Sequence, residues 1–172
     1  RQEIMDLSKL VVYSVLYKQF DREVLTALLA TECVRRHNRA NPSQLLDEKT
    51  HISDSILRSR MENSEKVISE ARTEILKPIY ESILKDENLT PEEKNVFLLM
   101  TEKFLNRLSL FNWYIIVKFF KKEGFSEILS GIRQIIQQYM EKSKIAEYIS
   151  LMVMELALNC ENANMRKEAK NM

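Results

Sequence analysis

Phe111–Phe120, with the sequence FNWYIIVKFF, is the most apolar stretch of the chain and contains its only tryptophan. Aromatic and branched side chains at this density remove a large area from water when they pack together. We therefore expect this stretch to form the central helical layer, around which the other helices pack.

Helix-boundary residues flank this stretch on both sides. Thr90–Glu93 combines a threonine N-cap, a proline at the first helical position and a glutamate three residues after the cap, which together predict a helix start. Gly124, shortly after two lysines, predicts the end of the segment. Polar residues at Ser109–Asn112 predict a break that divides the 91–122 segment into two helices.

Composition favours helices in the rest of the chain as well. The 172 residues include 2 glycines and 3 prolines, where average usage would give about 12 and about 9, so tight turns are few. We predict an all-α fold, a single helical domain over residues 1–172, built as a bundle of about seven to eight antiparallel and crossing helices. Because the sequence starts at Arg1 and ends in a charged helical stretch, we expect a fragment of a longer chain.

Two helices are predicted near the N-terminus. The first covers residues 3–20, and Asp21 is placed to cap a second over 22–37. A loop follows at 38–43, with Ser43 placed to cap the next helix. The first helix carries an apolar face made of Ile4, Leu7, Leu10, Val11, Val12, Val15 and Leu16.

The segment 44–86 is helical in pattern but uneven. Its polar stretch 58–66 is either a solvated span of one long helix or a hinge between two helices. Pro78 is expected to kink or interrupt the helix that contains it, because proline lacks the backbone N–H and clashes with the preceding turn.

Two further helices are predicted after Gly124. The first begins with Ser126 as its cap, and Glu141–Ser143 forms a hinge before the last helix, over about 144–169. Helical spacing assigns buried faces to both: Ile128, Leu129, Ile132, Ile135, Ile136, Tyr139 and Met140 in the first, and Ile145, Tyr148, Ile149, Met152, Val153 and Leu156 in the second.

Charge and cysteine usage restrict the possible partners. The net charge of +1 gives no long-range attraction to nucleic acid or to an anionic membrane, so we expect no nucleic-acid partner. No apolar run approaches the ~18 residues of a membrane span. Cys33 and Cys160 form no CxxC motif, and two such thiols suit a reducing compartment, which predicts a cytoplasmic protein.

The sequence does not indicate catalytic chemistry. His37 and His51 are too few for a histidine metal cluster, and neither belongs to an HExxH motif. The phosphate-binding patterns GxxxxGK and GxGxxG do not occur, and many carboxylates lie at helix starts, where they favour the helix dipole. We expect no catalytic residue, no cofactor and no metal, and the sequence leans against an enzyme.

One acidic residue stands within an apolar run. Glu155 lies inside 151–158, and Asn159 follows one helical turn later. This Glu-x-x-x-Asn pair resembles the ATP-site helix of the histidine-kinase and gyrase-type ATPases, where it handles water and magnesium. The resemblance implies a nucleotide-dependent signalling protein with Glu155 and Asn159 at its cofactor site. It covers one helix turn, and the glycine-rich phosphate boxes of that family are absent from residues 160–172, since neither glycine lies after Asn159. Either the sequence stops before these boxes or the match is accidental.

The central stretch carries a resemblance of its own. Asn112–Phe120 is similar to the first homology box of the B-cell-lymphoma-type apoptosis regulators, whose pattern is Asn-Trp-Gly-Arg-Ile-Val-x-Phe-Phe. That family is an all-α bundle around one apolar helix and binds a partner's amphipathic helix in a groove, which is the function the resemblance implies here. Tyr114 and Ile115 replace the Gly-Arg of the pattern, whose arginine reaches a ligand aspartate, and there is no Gly-Gly-Trp box.

We expect a non-enzymatic helical domain for protein interaction or regulation, within a larger signalling protein. It would act through helix-to-helix contacts with a protein partner or by self-association. The candidate anchors, in the core or at an interface, are Trp113, Tyr114, Phe119 and Phe120. The apoptosis-regulator-like groove and the nucleotide-dependent signalling protein are the alternatives.

Overall fold

The computed structural model describes residues 2–50 and 52–171. Within these ranges the chain forms seven α-helices and no β-strand, so the predicted all-α fold is confirmed. Arg1, His51 and Met172 lie outside the described residues. The helices are α1 (Gln2–Ala30), α2 (Glu32–Ala40), α3 (Asp54–Glu62), α4 (Glu65–Lys85), α5 (Pro91–Arg107), α6 (Leu110–Phe119) and α7 (Phe125–Asn171).

The chain divides into two compact units. The central unit comprises Phe20–Met140, and the terminal unit comprises Arg1–Gln19 together with Glu141–Met172. Helices α2 to α6 belong entirely to the central unit, whereas α1 and α7 each contribute residues to both units.

Aromatic side chains join the helices of the central unit. The ring of Tyr139 on α7 is fully buried, 4.9 Å from the ring of Phe20 on α1 and 5.3 Å from that of Phe104 on α5. α6 packs against both α3 and α4, and a helix that is apolar on nearly every side is stable in such a buried position. The central role predicted for 111–120 is confirmed by its buried residues, Asn112, Trp113, Ile115, Ile116 and Phe119.

The starts of α5 and α6 are as predicted. Thr90 Oγ1 accepts from the Glu93 N–H at 3.2 Å, and the Glu93 carboxylate accepts from the Thr90 N–H at 2.9 Å, which forms a capping box. Ser109 caps α6, its hydroxyl accepting from the Asn112 N–H at 3.2 Å. The predicted break between the two helices is therefore confirmed.

The turn from α6 to α7 uses left-handed backbone at two positions. Lys121 has a φ of 55° and Gly124 a φ of 86°. A Cβ added at Gly124 would lie 3.2 Å from the Cβ of Cys33. Both the backbone conformation and the close approach explain why glycine is present at this turn.

Asp21 does not cap a second helix, contrary to the prediction. α1 continues through it to Ala30, and the break before α2 comes at Thr31. The Asp21 Oδ1 instead accepts hydrogen bonds from the Ser109 N–H at 2.8 Å and from Asn112 Nδ2 at 2.7 Å. The carboxylate thus stabilises the start of α6, where negative charge favours the helix dipole.

The segment between α2 and α4 is less helical than predicted. Turns and irregular backbone fill residues 41–50 and 52–53, so Ser43 caps no helix, and α3 starts after Ser53. The break between α3 and α4 falls at Asn63–Ser64. It lies inside the polar stretch 58–66, which confirms the hinge alternative and gives two helices instead of one.

Pro78 lies inside α4 without interrupting it. A proline leaves the carbonyl four residues earlier without its helical donor, and that carbonyl belongs to Glu74. Arg133 Nη2 of α7 donates to the Glu74 carbonyl at 2.6 Å. The guanidinium therefore replaces the missing backbone hydrogen bond, which is how α4 remains continuous.

The hinge predicted at 141–143 is wrong, because α7 continues through it from Phe125 to Asn171. The three residues are polar, but none is a glycine or proline, and glutamate and lysine are good helix formers. Ser126 likewise lies inside α7. The boundary between the two units nevertheless falls between Met140 and Glu141.

Candidate interaction surface

The terminal unit has an interior of small side chains. Ser8 Oγ donates to the Met5 carbonyl and Ser150 Oγ to the Ala146 carbonyl, each at 2.8 Å, so these hydroxyls are satisfied within their own helices. Small residues allow helices to approach closely, but they bury little apolar area. The buried residues among those described in this unit are Ser8, Leu16, Ser143, Ala146, Ser150 and Met154.

Large apolar side chains lie on the exposed sides of the same two helix segments. Each is between 44% and 70% exposed. They recur at spacings of mostly three and four residues, which places them along one side of each helix. We call them the apolar stripes: Leu7, Leu10, Val11 and Val15 on α1, and Ile145, Tyr148, Ile149, Met152 and Leu156 on α7.

This exposure contradicts the faces predicted from spacing. The six residues expected to be buried in the last helix, including Val153, are at least 37% exposed, and the buried line of α7 runs instead through Ser143, Ala146, Ser150 and Met154. Helical spacing identifies a side of the helix that is apolar, but it does not identify what covers that side. The overlooked signal was the row of serine and alanine at helical spacing, which marks a second, close-packed face.

Within the terminal unit, burial raises the pKa of Tyr13 on α1, and the nearby carboxylate of Glu147 on α7 raises it further.

Charge is balanced across the terminal unit. The sequence of this unit contains eight basic and seven acidic residues. A surface of this composition exerts no strong field of either sign on a partner.

Two of the four predicted anchors belong to the core of the central unit. Trp113 and Phe119 are buried. The indole Nε1 of Trp113 donates to the Leu105 carbonyl at 3.4 Å, and the Arg72 guanidinium lies 5.9 Å from the indole ring centre. Phe120 is half-buried, with its ring 5.4 Å from that of Phe125. These contacts join helices and turns of one unit.

Tyr114 is the predicted anchor that lines a cleft. Arg60 Nη1 donates to the Tyr114 hydroxyl at 3.0 Å, and Lys118 Nζ lies 5.7 Å from the ring centre. The cleft, about 350 Å³ in volume, is also lined by Met61 and Val117. The tyrosine thus stands between two cations at the surface of α6.

Glu155 and Asn159 are both exposed, one turn apart on α7. Neither lines the cleft beside Tyr114. The structure therefore places this pair on a solvated helix surface in the terminal unit.

The remaining candidates are dispersed. The ring of His37 lies edge-on to Phe119 at 5.9 Å, near the end of α2, while Cys33 is buried and Cys160 exposed as free thiols. Among the described residues, no group of three or more histidine, cysteine, aspartate or glutamate side chains is arranged to hold a metal ion. No helix in residues 2–50 and 52–171 is both long and apolar enough to cross a membrane.

Comparison with known proteins identifies relatives along the whole chain. A family model described as a family of unknown function, DUF8084, matches residues 1–172. An uncharacterized protein of Treponema pallidum (strain Nichols) is 38% identical over 172 residues, which are 100% of this chain and 44% of that protein. The chain thus spans less than half the length of this relative. No solved structure matches the chain.

Proposed function

We propose that this chain, which belongs to the DUF8084 family, is a non-enzymatic protein-interaction domain of a regulatory or signalling protein in the cytoplasm. It acts through helix-to-helix contacts made by the apolar stripes of the terminal unit. In the Treponema relative the matching region is 44% of the protein, so there the domain is joined to further chain. Two free thiols are typical of a reducing compartment.

The observation that carries the proposal is the placement of large and small side chains in the terminal unit. The large apolar residues of the stripes face solvent, while serine and alanine are buried. Large exposed apolar side chains grouped along one side of a helix are uncommon on a monomer and are typical of a binding surface. An apolar side of a helix is stable in water when another surface covers it.

Two polar clusters in the central unit have a structural role, because each joins two helices. Glu102 accepts from Arg72 at 3.0 Å and from the Tyr80 hydroxyl, which joins α4 to α5. Asp21 joins α1 to the start of α6. Both clusters hold helices together, so Glu102 and Asp21 have a structural role.

Site-specific photo-crosslinking in cells tests the proposal. A benzophenone amino acid replaces Met152 on the stripe, or Leu99 as a matched control that is 60% exposed in the central unit. We expect a discrete ultraviolet-dependent adduct at position 152, identified by mass spectrometry as one protein species, and none at position 99. Equal labelling at both positions, or no adduct at either, would remove the interaction role.

A further inference from the structure

We infer that the occupant of the apolar stripes is a second copy of this chain, so that two terminal units pair as a symmetric four-helix bundle. This inference rests on the proposed interaction function and names its partner. Closed two-fold pairing is the commonest way in which identical chains associate.

The area of the stripes is sufficient for a stable dimer. Nine side chains are 44% to 70% exposed, and at roughly 150 Å² per large side chain they offer about 800 Å² of apolar surface. That equals the ~800 Å² that each partner contributes to an interface of standard size. The interior of the terminal unit cannot provide comparable burial, because four of its six buried residues are serine or alanine.

The spacing of the α7 stripe favours a helix as the covering element. Ile145, Ile149, Met152 and Leu156 are separated by four, three and four residues, which is the seam of a coiled coil. In the dimer, the second α7 carries the same seam. Each apolar side chain of one helix therefore packs between the equivalent side chains of the other helix. Leu7, Val11 and Val15 on α1, at intervals of four, provide a flanking stripe.

Charge favours a second copy over an anionic membrane. Eight basic and seven acidic residues are mixed along the terminal unit, so two copies do not repel each other through net charge. Membrane-surface helices instead carry an excess of lysine and arginine on the polar face. Tyr148, the most exposed residue of the stripes at 70%, is of a type enriched at protein interfaces.

The test is the mass of the whole chain in solution, measured by light scattering after size exclusion at about 100 µM and at about 1 µM. The stripe variant is Ile149→Glu with Met152→Glu. The matched control is Leu84→Glu with Leu99→Glu, since these two residues are 57% and 60% exposed in the central unit. Circular dichroism checks that helix content is retained, and Ile149→Ser with Met152→Ser is used if the charged pair reduces it.

We expect twice the mass of one chain for the native protein and for the control, and a single-chain mass for the stripe variant. Two buried charges on each chain, four in the dimer, weaken the association by roughly 100-fold or more. A monomeric native protein at the higher concentration overturns the inference, and so does a dimer that the stripe substitutions leave intact. If the chain is monomeric but position 152 crosslinks to a different protein in cells, the interaction function stands and the self-pairing is wrong.

Discussion

Tyr80 on α4 donates its hydroxyl hydrogen to the Glu102 carboxylate on α5. Arg72 donates to the same carboxylate at 3.0 Å and to Asn106 Oδ1 at 2.8 Å. Burial raises the pKa of Tyr80 well above its usual value of 10.0, and the hydrogen bond to Glu102 raises it further. One carboxylate therefore holds a neutral phenol and a cation from the neighbouring helix.

This network makes a pH-dependent prediction for Tyr80→Phe. Because the folded pKa of Tyr80 is raised, its stabilisation is fully present below the unfolded value of 10.0 and is lost as the pH rises from about 10 through the folded pKa. At pH 7 we expect the substitution to lower the free energy of unfolding by about 1 kcal/mol. The difference in the free energy of unfolding between Tyr80→Phe and the native protein, measured by urea titration, should narrow above pH 10.

Leu99→Ala is the control, because Leu99 is 60% exposed in the central unit and carries no titratable group, so its small effect on stability should not change with pH. If the difference in the free energy of unfolding between the native protein and Tyr80→Phe stays constant from pH 7 to about pH 11, the raised pKa of Tyr80 is contradicted.

At the scale of elements, α4 depends on a side chain from another helix. The Glu74 carbonyl, which Pro78 leaves without a backbone donor, receives the 2.6 Å hydrogen bond of Arg133. We expect Arg133→Ala to destabilise the protein by roughly 2 kcal/mol, as for other hydrogen bonds of charged groups.

The cost should depend on residue 78. In a Pro78→Ala background, a backbone N–H at that position can serve the Glu74 carbonyl, so Arg133→Ala should cost about 1 kcal/mol less than it does alone. A double-mutant cycle by urea unfolding measures this coupling. Strict additivity of the two substitutions would show that Arg133 does not replace the helical hydrogen bond.

Helix boundaries were predictable where the signal is local. The capping box at Thr90–Glu93 involves residues three apart, so the sequence alone was enough. Asp21 has the chemistry of a cap, but the amides it serves lie 88 and 91 residues away, and no local pattern shows that pairing. Pro78 was expected to kink or break its helix, because the sequence around it does not show the donation from Arg133, which lies 59 residues from Glu74.

At the scale of the whole molecule, periodicity revealed the stripes but not their exposure. The predicted apolar faces of the first and last helices contain the residues of the stripes, such as Val11 and Met152. Their exposure follows from the three-dimensional placement of Ser143, Ala146 and Ser150, which occupy the buried side instead. The predicted anchor Trp113 was identified as core or interface, and its burial places it in the core.

The paired state makes a prediction for hydrogen exchange. If a second copy covers the stripes, amide protection in residues 2–19 and 145–156 should rise with protein concentration, because pairing stabilises only the associated form. Protection in α4 and α5 should not change. Exchange measured at about 1 µM and about 100 µM tests this, and concentration-independent exchange in both segments would contradict pairing.

The hydrogen bond between Arg133 and the Glu74 carbonyl also favours one alignment of α7 along its axis in the central unit. Isoleucines at 128, 132 and 136 lie one turn apart on α7, so a slip of one turn would exchange like side chains at these positions. Such a slip would move Arg133 by about 5.4 Å and leave the Glu74 carbonyl without a donor. Pro78 thus adds a hydrogen-bonding requirement to the packing of Tyr139 against Phe20 and Phe104, and a residue that ordinarily disrupts helices helps to select the native alignment.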